Sequence, residues 1–257
     1  MSRQFSREYY LEVAKGNIPG HSVIHKFGRN SATGTAFTPV TVGGVYQRMQ
    51  PASATTLRVK AGNANDTAAG TGAREITIQG LDETGAFVQE TLATAGATAS
   101  SATTATFIRL YRAWVSACGS YTGGASAADV VIEDSAGAAD WLTIDSTTTP
   151  EGQSEVGVYT VPLGKTAYIT QIYISIEASK TVDLRLFKRG GALDSAAPYQ
   201  ARRTLFSWSG LQETPSPLDF KIPYNSIEEL TDVGFIAQVA NGTADVAVNF
   251  DLLLIDN

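Results

Sequence analysis

From Gly152 to Arg189 the chain reads GQSEVGVYTVPLGKTAYITQIYISIEASKTVDLRLFKR, alternating apolar and polar residues through three runs with no helical interval. A period of two puts successive side chains on opposite faces, so each run predicts a strand with one face in a core and one in solvent. On this reading Tyr168, Thr170, Ile172, Ile174 and Ile176 line one face, Val182, Leu184 and Leu186 the next, and Val246, Val248, Phe250, Leu252 and Leu254 the last. With runs at Val156–Val161, Thr204–Trp208, Leu218–Ile222 and Phe235–Val239, about seven strands predict a jelly-roll-like sandwich over residues 150–257.

Upstream, over residues 45–149, strands are predicted at Thr56–Lys60, Glu75–Leu81, Phe87–Leu92, Thr106–Val115 and Asp129–Glu133. Asp82-Glu83-Thr84-Gly85 supplies a hairpin connection with glycine where positive φ is tolerated, setting Ile76 and Ile78 on a face with Phe87 or Val88. The Ala/Gly/Ser/Thr stretches at 93–106 and 117–129 read as solvated loops. The fold class is therefore all-β: two antiparallel β-sandwich domains, the C-terminal one jelly-roll-like, preceded by an extended N-terminal arm over residues 1–44. A boundary is placed in DSTTTPEGQS, at 149/150. Within the arm, Phe5, Tyr9 and Val13 are spaced by four ahead of Gly16, which makes residues 3–15 the one helical candidate. Residues 16–44, studded with Gly and Pro, read as chain that gains its order from a neighbouring domain or subunit.

Charge and composition narrow the function. The 257 residues carry a net charge of −6, with two histidines and one cysteine. Such an acidic chain lacks the clustered Lys and Arg that bind phosphate backbones, so nucleic acid is not expected as a partner. No apolar run is long enough to span a membrane. Arg3, Arg7, Lys15, Lys26 and Arg29 against Glu8 and Glu12 give the first thirty residues +3, leaving −9 for the remainder. A basic arm thus precedes an acidic body.

Few residues offer chemistry. His21 and His25 lie four apart, but Pro19, Gly20 and Gly28 disfavour the helix that a zinc pair would need, and in a strand the two share a face where packing or interface hydrogen bonding is the better account. The adjacent acids Glu133-Asp134 and Glu228-Glu229 point to opposite faces of a strand and cannot flank one glycosidic bond. Asn63, Asn65 and Asp66, with Asp129, Glu133 and Asp134, supply oxygen ligands in no recognised calcium loop. Tyr159, Tyr168, Tyr173, Tyr199, Phe206 and Trp208 are candidates for a sugar-stacking groove. Cys118 reads as a packed residue. No catalytic residue, metal or cofactor is expected.

YYLEVAKGNIPGHSVIHKFGRN, GGVYQ, TGAREITIQGLDETGAFVQETL, TFIRLYRAWVSACGSYT, GQSEVGVYTVPLGKTAYI and VAVNFDLLLID together resemble virion structural proteins of tailed bacteriophages, especially marine and environmental phages. The resemblance spans nearly the whole chain and carries no catalytic motif. It implies a non-enzymatic particle component made in the bacterial host cytoplasm and located in the virion. Combined with the charge asymmetry, it leads to the expectation of a capsid decoration or cement protein, homo-oligomeric and trimeric, that contacts the major capsid protein or other virion proteins. The expected interface residues are Arg3, Arg7, Tyr9, Tyr10, His21, His25, Lys26, Phe27 and Arg29. The alternative is a tail-associated or fibre protein that recognises a host glycan through its C-terminal domain.

Overall fold

The computed structural model describes residues 8–46, 53–120, 125–146, 152–212 and 217–257, with the backbone path alone for 220–225. A short helix, α1 (Tyr9–Ala14), precedes strands β1 (His21–Thr33), β2 (Thr38–Pro39), β3 (Leu57–Ala61), β4 (Ala73–Leu81), β5 (Phe87–Ala93), β6 (Arg109–Cys118), β7 (Val130–Asp134), β8 (Asp140–Ile144), β9 (Val158–Thr160), β10 (Lys165–Ile176), β11 (Val182–Arg189), β12 (Arg203–Leu211), β13 (Leu218–Ile227), β14 (Asp232–Val239) and β15 (Ala244–Asp256). The chain is all-β, and every strand pair is antiparallel.

The C-terminal strands form two sheets, ordered β1-β15-β10-β13 and β12-β11-β14-β2, with β9 also on β14. Their inner faces meet in one core that includes Ile169, Ile172, Leu184, Leu186, Phe235, Val248, Phe250 and Leu252. The Phe235 and Phe250 rings, one from each sheet, lie 5.5 Å apart. The expected faces of β11 and β15 are the buried ones. On β10 the register shifts between Ile169 and Gln171. That irregularity flips the alternation: Ala167 and Ile169 precede it on the core side, Ile172, Ile174 and Ile176 follow, and Tyr168 turns outward, contrary to the uninterrupted face read from sequence.

The region expected as an arm belongs to this sandwich. β1 runs along β15 from His21↔Ile255 to Thr33↔Ala244. It is a sheet edge, and its order comes from this chain's own C-terminal strand. Near its middle, β1 crosses a second backbone so closely that a Cβ on Gly28 would sit 2.1 Å from the Gly157 nitrogen. Only glycine permits that crossing. There the Val156 amide donates to the Phe27 carbonyl at 2.8 Å.

The middle region builds two three-stranded sheets, β3-β7-β8 and β5-β4-β6, around a second core of Leu57, Val59, Ile76, Ile78, Phe107, Ile132, Trp141 and their neighbours. The β4–β5 hairpin turns as expected: Gly85 has φ +81°, and the Asp82 carboxylate accepts from the Thr84 and Ala86 amides and the Thr84 hydroxyl. Ile76 pairs with Leu92 and Gly80 with Val88, so Val88 shares the Ile76/Ile78 face while Phe87, paired with Leu81, takes the other. The 93–106 stretch, largely exposed as expected beyond the end of β5, is also tied to β3. Its Ser100 and Thr103 amides donate to the Val59 and Leu57 carbonyls, and their hydroxyls accept from the Val59 and Leu57 amides, so it closes the free edge of β3. Small polar residues suit that role because their hydroxyls reach the neighbouring backbone. The 149/150 boundary lies outside the described residues.

Candidate functional site

The expected interface residues separate into four groups. Arg3 and Arg7 lie outside the described residues. Tyr9 and Tyr10 are exposed on α1, where Val13 is the residue turned into the protein. Gly16, at φ +74°, ends the helix, its amide donating to the Val13 carbonyl. On β1, His21, His25, Phe27 and Arg29 share the outer face, as their alternation demands.

Several polar side chains of the described part of this segment are engaged within the chain. His25 Nδ1 lies 2.5 Å from the Asp251 carboxylate. Arg29 binds Asp245 through Nε and Nη2, and Lys15 pairs with Glu12 on the helix. Burial does not undo the Arg29 pairing: the hydrogen bond to Asp245 raises the Arg29 pKa. The acidic surface that complements β1 is its partner strand β15. Glu155 borders this cluster. Burial, with Asp245 and Asp145, outweighs the attraction of Arg29 and pushes its carboxyl up to about 7.

Lys26 does not join the outer face. It points inward, 6% exposed, and its Nζ donates to the Tyr111 carbonyl at 2.5 Å. Burial, reinforced by the charge of Arg112, lowers its pKa to about 7. A buried residue cannot touch a partner from the outer face, which removes Lys26 from the expected contact surface. It instead lines a cavity of about 350 Å³ between β1 and the middle sheet, together with Ile24, Phe87, Tyr111, Arg112 and Tyr159. The three aromatic rings form a staircase, with Phe87–Tyr111 centroids 6.4 Å apart and Tyr111–Tyr159 4.5 Å apart, both stacked. The Tyr111 hydroxyl donates to the Thr160 carbonyl at 2.6 Å. Burial raises the pKa of both tyrosines, so they stay neutral donors.

Beneath the staircase the two halves are joined by ions. Arg109 of β6, fully buried, binds the Asp232 carboxylate of β14 through Nε at 2.8 Å and Nη2 at 3.1 Å. Arg189 Nη2 shares the Oδ2 oxygen with Arg109 Nη2, at 2.7 Å, and the Thr160 hydroxyl donates to Oδ1 at 2.7 Å. Burial works against the Arg109 charge, and Asp232 more than offsets it, so its pKa rises.

The remaining candidates are structural. Asp66 is fully buried and accepts from the amides of Ala73, Ala127 and Ala128, pinning two loops. Glu133 pairs with Arg58 at 2.7 Å while Asp134 caps a turn. Glu228 pairs with Lys188, and Glu229 accepts from the Gly164 amide. Among the described residues no three His, Cys, Asp or Glu side chains cluster as a metal site. The expected C-terminal aromatics disperse: Tyr159 is buried, Phe206 and Trp208 stack at the core margin, and Tyr173 and Tyr199 are exposed on different elements.

No family model matches the chain, and no curated protein matches it. Solved structures of infectious bursal disease virus align over most of its length. A VP2 subviral particle aligns at 10% identity and a TM-score of 0.18, covering 96% of this chain and 81% of that one. A T=1 particle aligns at 12% and 0.18, covering 96% and 79%. A Gx-strain structure aligns at 12% and 0.19, covering 92% and 77%.

Proposed function

We propose that this protein is a non-enzymatic virion structural protein of a tailed bacteriophage, acting as a homo-oligomeric capsid decoration or cement protein. The observation that carries the reading is the set of large apolar side chains exposed on α1 and on the outer face of the β1-β15-β10 sheet. Tyr9 packs edge-on against His21 at 6.1 Å. His21 shares the outer face of β1 with Val23 and Phe27, and the pairings Phe27↔Asn249 and Asn249↔Tyr173 extend that face across β15 to β10. Tyr9, Tyr10 and Leu11 expose large apolar groups on α1, Val23 on β1 and Tyr173 on β10. Such a patch marks an interaction surface, and a sheet edge such as β1 gains from being covered. On β1, Arg29 pairs with Asp245 of β15 and Lys26 is buried, so apolar contact is the driving term on this face. The expected trimer and the contact with the major capsid protein belong to the same proposal.

The test is light scattering on the purified protein followed by labelling of intact particles with an antibody fragment. The reading requires an oligomer that the exposed-face variant Val23→Lys/Tyr173→Lys dissociates, and label distributed over the head. A monomer insensitive to those changes, or label confined to the tail, overturns it.

A further inference from the structure

We infer that the cavity between β1 and the middle sheet is a binding site for an acidic sugar, with Lys26 and Arg112 receiving the carboxylate of a uronate ring and the exposed face of Phe87 stacking on its C–H face. The inference is independent of head or tail location, because it rests on the cavity alone.

Its first support is an unfinished hydrogen-bond account. An ammonium group has three donors. Lys26 uses one, on the Tyr111 carbonyl, and among the described residues no carboxylate lies within ion-pairing distance. A buried cation without an anion is costly, and every other buried cation of this junction has one. Arg109 and Arg189 share Asp232, yet Lys26, a few residues from them in space through Tyr111, has only a carbonyl. The second support is charge. Of the side chains lining the cavity, Lys26 and Arg112 are cationic and none is a carboxylate. Arg112, an exposed side chain, commits its Nε to Gln79 at 2.9 Å and lays its guanidinium over Trp114, which orients the fork. Arginine in that posture offers a bidentate seat for a carboxylate.

The third support is shape. A volume of about 350 Å³ accommodates a single sugar ring with part of a second. Phe87 is 56% exposed at the mouth, and its ring stacks on Tyr111, which stacks in turn on Tyr159. An aromatic held this rigidly offers a flat apolar face at little conformational cost. A carboxylate alone would need only the cations; the ring surface beside them selects a carboxylate carried on a flat-faced scaffold. His25 completes the rim on the β1 side, already paired with Asp251.

The experiment is calorimetric and NMR titration of the intact protein with glucuronate, with glucose as neutral ring and benzoate as flat carboxylate without hydroxyls. Glucuronate is expected to bind with a Kd in the millimolar range typical of a single sugar, and glucose at least tenfold more weakly. Lys26→Met and Arg112→Gln should each weaken glucuronate about tenfold, the loss expected for one charge-assisted hydrogen bond. Phe87→Ala, at an exposed position that leaves the cores intact, should weaken it several-fold with an unchanged unfolding midpoint. Benzoate binding in place of glucuronate overturns the sugar assignment. Absence of binding by all three, or glucuronate binding that survives Lys26→Met and Phe87→Ala, overturns the site.

Discussion

Replacing Lys26 with methionine should make the protein more stable at neutral pH. The side chain is nearly as long and as flexible, so it fills the same space without the charge. In the folded state the ammonium titrates at about 7 against 10.5 for an unperturbed lysine, with burial the main cause and Arg112 the second. The distance between those values, at about 1.4 kcal/mol for each pH unit, corresponds to about 5 kcal/mol of lost stability once the amine is charged in both states. Methionine forfeits the hydrogen bond to the Tyr111 carbonyl, about 1 kcal/mol. The net gain from Lys26→Met is therefore about 3–4 kcal/mol.

The sign and pH window follow from linkage. A lysine whose folded pKa is depressed binds fewer protons folded than unfolded between about 7 and 10.5, so stability rises with pH across that window. Below it the cost is complete; above it the cost is absent. The tyrosines of the cavity do not obscure this: Tyr111 and Tyr159 are pushed well above their usual range. His25 lies on the other face of β1, bonded to Asp251, and is common to both proteins. Urea unfolding of wild type and Lys26→Met at pH 6 and pH 9 measures the effect. The advantage of the variant should be largest at pH 6 and shrink by about 3 kcal/mol by pH 9. A pH-independent difference, or a variant that is less stable throughout, would refute the claim that Lys26 is a buried cation without an anion.

Three other changes probe the interior. Asp232→Ala leaves Arg109 and Arg189 buried without their shared carboxylate, and should cost about 3–5 kcal/mol in denaturant unfolding; a loss below about 1 kcal/mol would mean that the guanidiniums are otherwise satisfied. Asp66→Ala strips the acceptor from three amides, and should accelerate hydrogen exchange at Ala73, Ala127 and Ala128 while leaving the C-terminal sandwich protected. Glu155 has its folded pKa raised to about 7 from 4.5, so it binds more protons folded than unfolded between those values and stability falls as pH rises through them. Glu155→Gln should remove that fall, and an unaltered stability profile from pH 4.5 to 7.5 would sink the assignment.

Strands were legible where the period-two pattern ran against a single apolar core, as in Val246–Leu254 and Val182–Leu186. The pattern failed where the buried face is not apolar. On β1 the inward residues after Ile24 are Lys26, Gly28 and Asn30, set against a carbonyl, a crossing backbone and a turn, so hydropathy gives no sign of a thirteen-residue strand. β8 was missed for the opposite reason: Trp141 and Leu142 are consecutive and both buried, which erases alternation. Arg109 did leave a trace, a cation enclosed in the apolar run FIRLY, but its partner lies 123 residues away. Lys26 left none, since a backbone carbonyl 85 residues distant has no sequence signature.

The placement of β1 changes how the charge asymmetry bears on assembly. A +3 segment followed by a −9 body suggests a basic arm looking for an acidic surface elsewhere. The β1 part of that segment meets an acidic surface at the other end of its own chain: His25 bonds Asp251, Arg29 pairs with Asp245, and the Asp256 amide closes on the Gly20 carbonyl. The same pairings make residues 21–33 a structural edge, so removing residues 1–44 would uncover β15 and break the sandwich as well as any interface. Removing only residues 1–20 separates the two effects. It takes away Tyr9, Tyr10 and Leu11 of the exposed patch while keeping the β1–β15 ladder, so loss of particle binding with unchanged β-sheet circular dichroism would assign the contact to α1. Full binding by the shortened chain would assign it to Val23, Phe27 and Tyr173 on the sheet face.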